Sequence, residues 1–171
     1  MSFLVIIRGP LGVGKSTIAK LVASKIKAIH FSIDDVLSKN GLDQTDEKEG
    51  CIPLANFLKV NKIILPQLKK AIRSGTSGVV DGNFYHQSQI DDLIKKLPLQ
   101  SFVFTLTAPL EVCIQRDLQR PKSYGKVAAA AVYNLVSRFS CGQTIDTSLL
   151  SVDDTVNLVI SNLKEPIVYQ C

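Results

Sequence analysis

The chain has 171 residues, 46% of them hydrophobic and 20% charged, with a formal net charge of +5 and a pI near 9.0. That size and balance suit a single folded domain with a sizeable core, and they exclude a disordered, charge-dominated chain. No apolar run approaches the ~20 residues of a membrane span, so no membrane association is expected. With no secretory signal pattern at the start, a cytoplasmic location is expected too.

The four cysteines, Cys51, Cys113, Cys141 and Cys171, are widely separated and form no CxxC pair. Reduced thiols are therefore expected. The two histidines, His30 and His86, stand near no cysteine pair, which excludes a zinc cluster of the usual spacing. The positive surplus is compatible with an anionic ligand, nucleic acid included, and equally with a solvated helix face around Lys59, Lys62, Lys69, Lys70 and Arg73.

In chain order, "FLVIIR" (3–8) predicts a strand buried on both faces, because apolar residues run without alternation. "TIAKLVASKI" (17–26) predicts a helix with Ile18, Leu21, Val22 and Ile26 on one face. "AIHFSI" (28–33) reads as a second strand. An acidic loop follows at 41–50, and then a long helix over 53–73 with Pro66 as a point of strain. "SGVVDGN" (77–83) reads as a third strand ending in turn residues, followed by a helix over 86–97. A fourth strand spans 100–107, with helices over 110–120 and 127–139 broken apart by Pro121 and Gly125. A short fifth strand is expected at 143–148. A last helix covers 151–163, opened by the Ser151–Asp154 capping pair. Alternating strands and helices imply a parallel sheet covered on both faces, with ligands gathered at the carboxyl ends of the strands.

Between the first strand and first helix lies Gly9-Pro10-Leu11-Gly12-Val13-Gly14-Lys15-Ser16, which meets GxxxxGK[ST] at every fixed position. Average composition yields this pattern in well under ~1% of chains this long, and the strand–loop–helix context is the one it requires. Gly9, Gly12 and Gly14 let the backbone curl so that successive N–H groups, Val13 and Thr17 included, face one anion. The positive end of the following helix adds to that field. Lys15 bridges the terminal phosphates of a nucleotide, and Ser16 offers a hydroxyl to Mg²⁺.

Carboxylates stand at the ends of the next two strands. Asp34, in "HFSIDDVL", is placed to take a proton from a hydroxyl attacking a γ-phosphate, or else to cap the next helix. Asp81, in "GVVDGNF", is placed to hold Mg²⁺, or else simply to turn the chain. Asn83 reads as a turn residue within reach of a substrate. Arg116 and Arg120, four apart, share a helical face.

The loop, the two acids and the arginine pair resemble the P-loop NTPases, and within them small kinases of the shikimate-kinase-like and polynucleotide-kinase-like branch. The resemblance implies a three-layer α/β/α, nucleoside-kinase-like fold with a five-stranded parallel sheet. It implies a single domain over 1–171, substrate-binding helices at about 35–75 and a lid at about 117–127. It implies ATP and Mg²⁺ as cofactors, Lys15, Asp34 and Arg120 as catalytic residues, and Ser16 and Asp81 as metal-binding. By the same register Ser32 replaces the first acid of the D-x-D version, Arg116 packs on adenine, and Tyr124 and Gly125 lie in the lid. Asp146 and Thr147 border the base.

The G-[FY]-P-R run of adenylate kinase-like enzymes is missing after the third strand, where this chain reads "DGNFYHQ". That departure counts against a nucleoside monophosphate and leaves the acceptor open among a nucleic acid 5′ end, a nucleoside and a small sugar or polyol acid, with the basic helix leaning towards an anion. The other class in play is a nucleotide-binding regulator or slow ATPase with no acceptor. Either would act as a monomer or homodimer.

Overall fold

The computed structural model describes residues 2–164; residue 1 and residues 165–171, Cys171 among them, lie outside the described residues. Five strands, β1 (Leu4–Arg8), β2 (Ile29–Ser32), β3 (Gly78–Gly82), β4 (Ser101–Thr107) and β5 (Gln143–Asp146), form one sheet in the order β2-β3-β1-β4-β5. Every pairing is parallel. All five expected strands are present, each within a residue or two of its expected bounds.

The continuous apolar run of β1 is explained by its central place. Leu4 and Ile6 enter one core with helix α3 (Leu54–Arg73) and helix α4 (Gln87–Lys96). Val5 and Ile7 enter the other core, with α1 (Lys15–Lys25) and α7 (Val152–Ser161). Two more helices, α5 (Leu110–Leu118) and α6 (Lys126–Val136), follow β4 and flank the loop after β1 through Leu11, Ile114 and Ala129.

Some expectations need correction. Leu21 is 37% exposed, because the buried face of α1 is Ile18, Ala19, Val22 and Ala23. Pro66 does not end α3. It sits on the solvent side, where the carbonyl it orphans is open to water. Helix α5 stops at Leu118, so Arg120 belongs to the connection that follows it. Cys51 and Cys113 are free and buried, whereas Cys141 is disulfide-bonded, against the expectation of reduced thiols. No helix among the described residues is long and apolar enough to cross a membrane.

Candidate active site

The register of the sheet assembles the site. Asp81 pairs with Ile7 of β1 and with Ser32 of β2, so the ends of three strands open onto one edge. After β1 the chain turns through Gly9–Gly14, and Gly14, with φ of 96°, is the N-cap of α1. Gly12 is fixed by two constraints. Its φ of 78° is left-handed, and a Cβ there would stand 2.0 Å from the carbonyl oxygen of Cys113 in α5.

Three cavities line this edge. The first, about 220 Å³, is bounded by Gly12, Gly14, Lys15, Ser16, Thr17, Arg116 and Arg120. The second, about 180 Å³, shares Gly14, Thr17 and Arg116 with it and adds Val13, Ile18, Thr147, Leu150, Val152 and Thr155. The shared residues join a cavity lined by the glycine loop, Lys15 and two arginines to a more apolar slot suited to a base. The third, about 310 Å³, holds Asp34 and Asn83 on its wall. Lys15 Nζ is 3.6 Å from Asp34 Oδ2, so this ion pair stands where the first and third cavities meet.

Asp34 lies in the first turn of a short helix, α2 (Ile33–Lys39). It does not cap that helix, since the hydroxyl of Ser32 accepts the Asp35 N–H instead. The Asp34 carboxylate is thereby free to face the cavity, where it accepts from Asn83 Nδ2 at 3.3 Å. Burial raises its pKa; Lys15 opposes that shift, and Asp81 reinforces it.

Ser16 Oγ donates to Asp81 Oδ2 at 2.7 Å, and His30 Nε2 lies 2.6 Å from Asp81 Oδ1. A hydroxyl and a carboxylate are hard oxygen donors that fit Mg²⁺. Among the described residues no cluster of three acids, histidines or cysteines forms a protein-only cage. Mg²⁺ does not need one, since it commonly binds through one or two carboxylates plus phosphate and water.

The arginines part company. Arg116 donates from Nη1 to Thr147 Oγ1 at 3.0 Å and from Nη2 to Thr147 O at 2.9 Å, which holds it between the first two cavities. Arg120 pairs with Asp117 at 3.5 Å and lies over Tyr124 at 5.9 Å. Of the two residues expected near the base, Thr147 is buried and bonded. Asp146 is exposed and accepts from Ser148, which lowers its pKa.

Sequence reasoning missed three residues. Asp117, fully buried, accepts from Ser123 Oγ at 2.8 Å, Tyr124 N at 2.9 Å and Gly125 N at 3.1 Å, so it organises the segment expected to be the lid. Arg8, also fully buried, donates to the carbonyls of Phe84, Val136 and Phe139 and to Thr105 Oγ1, with Phe139 stacked 4.1 Å away. Burial lowers its pKa to about 10. His30 stands against Asp81 only because β2 lies beside β3. No motif marks any of the three.

The basic face of α3 does not reach the site. Lys62, Lys69, Lys70 and Arg73, with Lys96 of α4, line a separate groove that shares no residue with the three cavities. The lean towards an anionic acceptor drawn from that helix is therefore withdrawn.

The AAA domain family model matches residues 5–137, more than three quarters of the chain. No curated protein matches it. Among solved structures, a sugar kinase from Janibacter sp. HTCC2649 superposes with a TM-score of 0.77 at 15% identity, over 96% of this chain and 95% of that one. A gluconokinase from Sinorhizobium meliloti 1021 gives 0.68 at 13%, over 94% and 90%. The Deinococcus radiodurans tunicamycin resistance protein gives 0.64 at 18%, over 100% and 99%. At such identities the likeness is one of fold. The glycine loop, the parallel sheet and the matched family together place this chain in the AAA domain family of P-loop NTPases, with the fold of a small P-loop kinase.

Proposed function

We propose that the chain is an ATP- and Mg²⁺-dependent kinase that transfers the γ-phosphoryl group to a hydroxyl in the third cavity. The observation that carries this reading is the Lys15–Asp34 contact of 3.6 Å between the cavity at the glycine loop and a second cavity beside it. A regulator or a plain ATPase has no need of an acidic second pocket at the phosphate end.

On this reading the backbone N–H groups of Gly12–Ser16 and the Lys15 ammonium hold the phosphates and balance charge as it develops. Asp34 orients the acceptor hydroxyl and takes its proton. The hydroxyl oxygen forms the new bond to the γ-phosphorus, the bond to the bridging oxygen of ADP breaks, and a phosphate monoester leaves. Ser16 and Asp81 would hold Mg²⁺, which when bound supplies charge neutralisation at the phosphates. Arg116 flanks the base and Arg120 closes on the transferring group. The Asp117-anchored segment excludes water, which limits futile hydrolysis. A cytoplasmic location goes with this dependence on ATP.

An acceptor screen with Mg·ATP, read by ADP formation, tests the proposal. A kinase gives acceptor-dependent ADP release. A regulator or slow ATPase gives a rate that no hydroxyl compound changes, and that result would remove the kinase reading.

A further inference from the structure

We infer that the phosphate acceptor carries no negative charge: it is a small neutral or ammonium-bearing alcohol with several hydroxyls and one apolar face. This rests on the kinase reading above and names the acceptor class of the same site.

The wall chemistry of the third cavity carries the inference. Its lining includes two carboxylates, Asp34 and Asp43, and no lysine or arginine. The nearby Lys15 ammonium is already turned to Asp34 and to the phosphate pocket. An acceptor carboxylate or phosphate would face two lining carboxylates with no lining lysine or arginine, and Lys15 at the margin is already paired with Asp34, an arrangement that disfavours an anion.

The hydrogen-bonding balance also points to a donor-rich ligand. Asn83 is 9% exposed and its Nδ2 is spent on Asp34, while its Oδ1 has no partner. The Tyr85 hydroxyl accepts the Ile52 N–H, so its own proton is free to donate. Acceptor oxygens on the buried Asn83, the half-buried Asp34 and the exposed Asp43 call for several O–H or N–H groups on the ligand. Leu11, Leu37, Val132 and Leu135 give the wall an apolar stretch that suits a hydrocarbon face, beside the hydroxyls of Ser38 and Thr45.

Size agrees. A volume of about 310 Å³ is roughly ten times a water's share of liquid. That admits a monosaccharide-sized molecule. A polynucleotide would also need cations along its phosphates, and those lie in the separate α3 groove.

The test uses the full chain with Mg·ATP and charge-matched acceptors: glucose, glucosamine and gluconate, and a nucleoside beside its 3′-monophosphate. Expected is acceptor-dependent ADP release with neutral or amino members, and kcat/KM at least tenfold lower for the anionic match. A higher kcat/KM for an anionic member overturns the acceptor class and leaves the kinase reading intact. No release with any member counts against the kinase reading, and the acceptor class falls with it. A D43K variant supplies the second arm. Its neutral-over-anionic preference should drop at least threefold with nucleotide affinity unchanged. An unchanged preference means that the acceptor does not occupy this cavity and overturns the inference.

Discussion

Lys15 Nζ and Asp34 Oδ2, 3.6 Å apart, join the first turns of α1 and α2, which follow different strands, and each side chain belongs to a different cavity. On the proposed reading, the cation that serves the phosphates also steadies the carboxylate that faces the acceptor. Lys15→Ala should lower turnover by roughly 10³-fold or more, since preorganised charge is the main catalytic resource of such a site. Far-UV circular dichroism should remain that of the parent. Retained turnover would remove Lys15 from the machinery.

Asp34→Asn should lower kcat by about 10²–10⁴-fold, the range of general-base catalysis, and change nucleotide affinity less than about threefold. Single-turnover kinetics beside nucleotide titration separates the two. Equal losses in both would mark Asp34 as merely structural.

The pH dependence follows from the raised pKa of Asp34. The base must be ionised, so the acid limb of kcat/KM should lie above the ordinary aspartate value of 3.8 and vanish or move in Asp34→Asn. For stability the sign is opposite in sense. The fold holds the proton more tightly than the unfolded chain, so this group's contribution is full below pH 3.8 and is lost as pH rises through the folded pKa. Urea midpoints measured across that window should fall less steeply in Asp34→Asn than in the parent.

Gly12→Ala should cost about 2 kcal/mol and weaken nucleotide binding. The new Cβ has a left-handed φ to bear and meets the Cys113 backbone oxygen at 2.0 Å, which no side-chain rotation relieves. Thermal melts with and without ATP read both effects. Gly14→Ala, where nothing lies within 4 Å of the added Cβ, isolates the φ effect alone.

Arg8→Met should destabilise by about 3 kcal/mol, because four acceptors, three of them in buried bonds, lose a charged donor. Val136 O and Phe139 O end α6 and the turn after it, and α6 walls the third cavity. Acceptor KM should therefore rise more than nucleotide KM. A urea midpoint equal to that of the parent would contradict this role.

Much of this was legible before any coordinates. GPLGVGKS announces its own geometry because its glycines and its lysine act through the backbone that carries them. The capping pair at Ser151 is present as read, with Ser151 Oγ accepting Asp154 N at 3.1 Å. Asp34 and Asp81 stood out because each ends an apolar strand. What stayed hidden depended on neighbours distant in sequence. His30 meets Asp81 across 51 positions, and Arg8 reaches Val136 across 128.

Local signals therefore determined the strands, the anion-binding turn and the class of chemistry, since periodicity and turn preference act over a few residues. The choice of which acid is free to act is local as well, because Ser32, three residues before the Asp35 N–H it accepts, takes the cap and leaves Asp34 uncommitted; the tertiary structure then sets Lys15 and Asn83 against it. Tertiary structure alone decided that the basic face of α3 lines a groove separate from the Asp34 cavity, and that Asp34 and Asp43, with no lysine or arginine, line that cavity. Charge on a helix is visible in a sequence; the direction it faces is set by the sheet order β2-β3-β1-β4-β5 and the packing on each side of it.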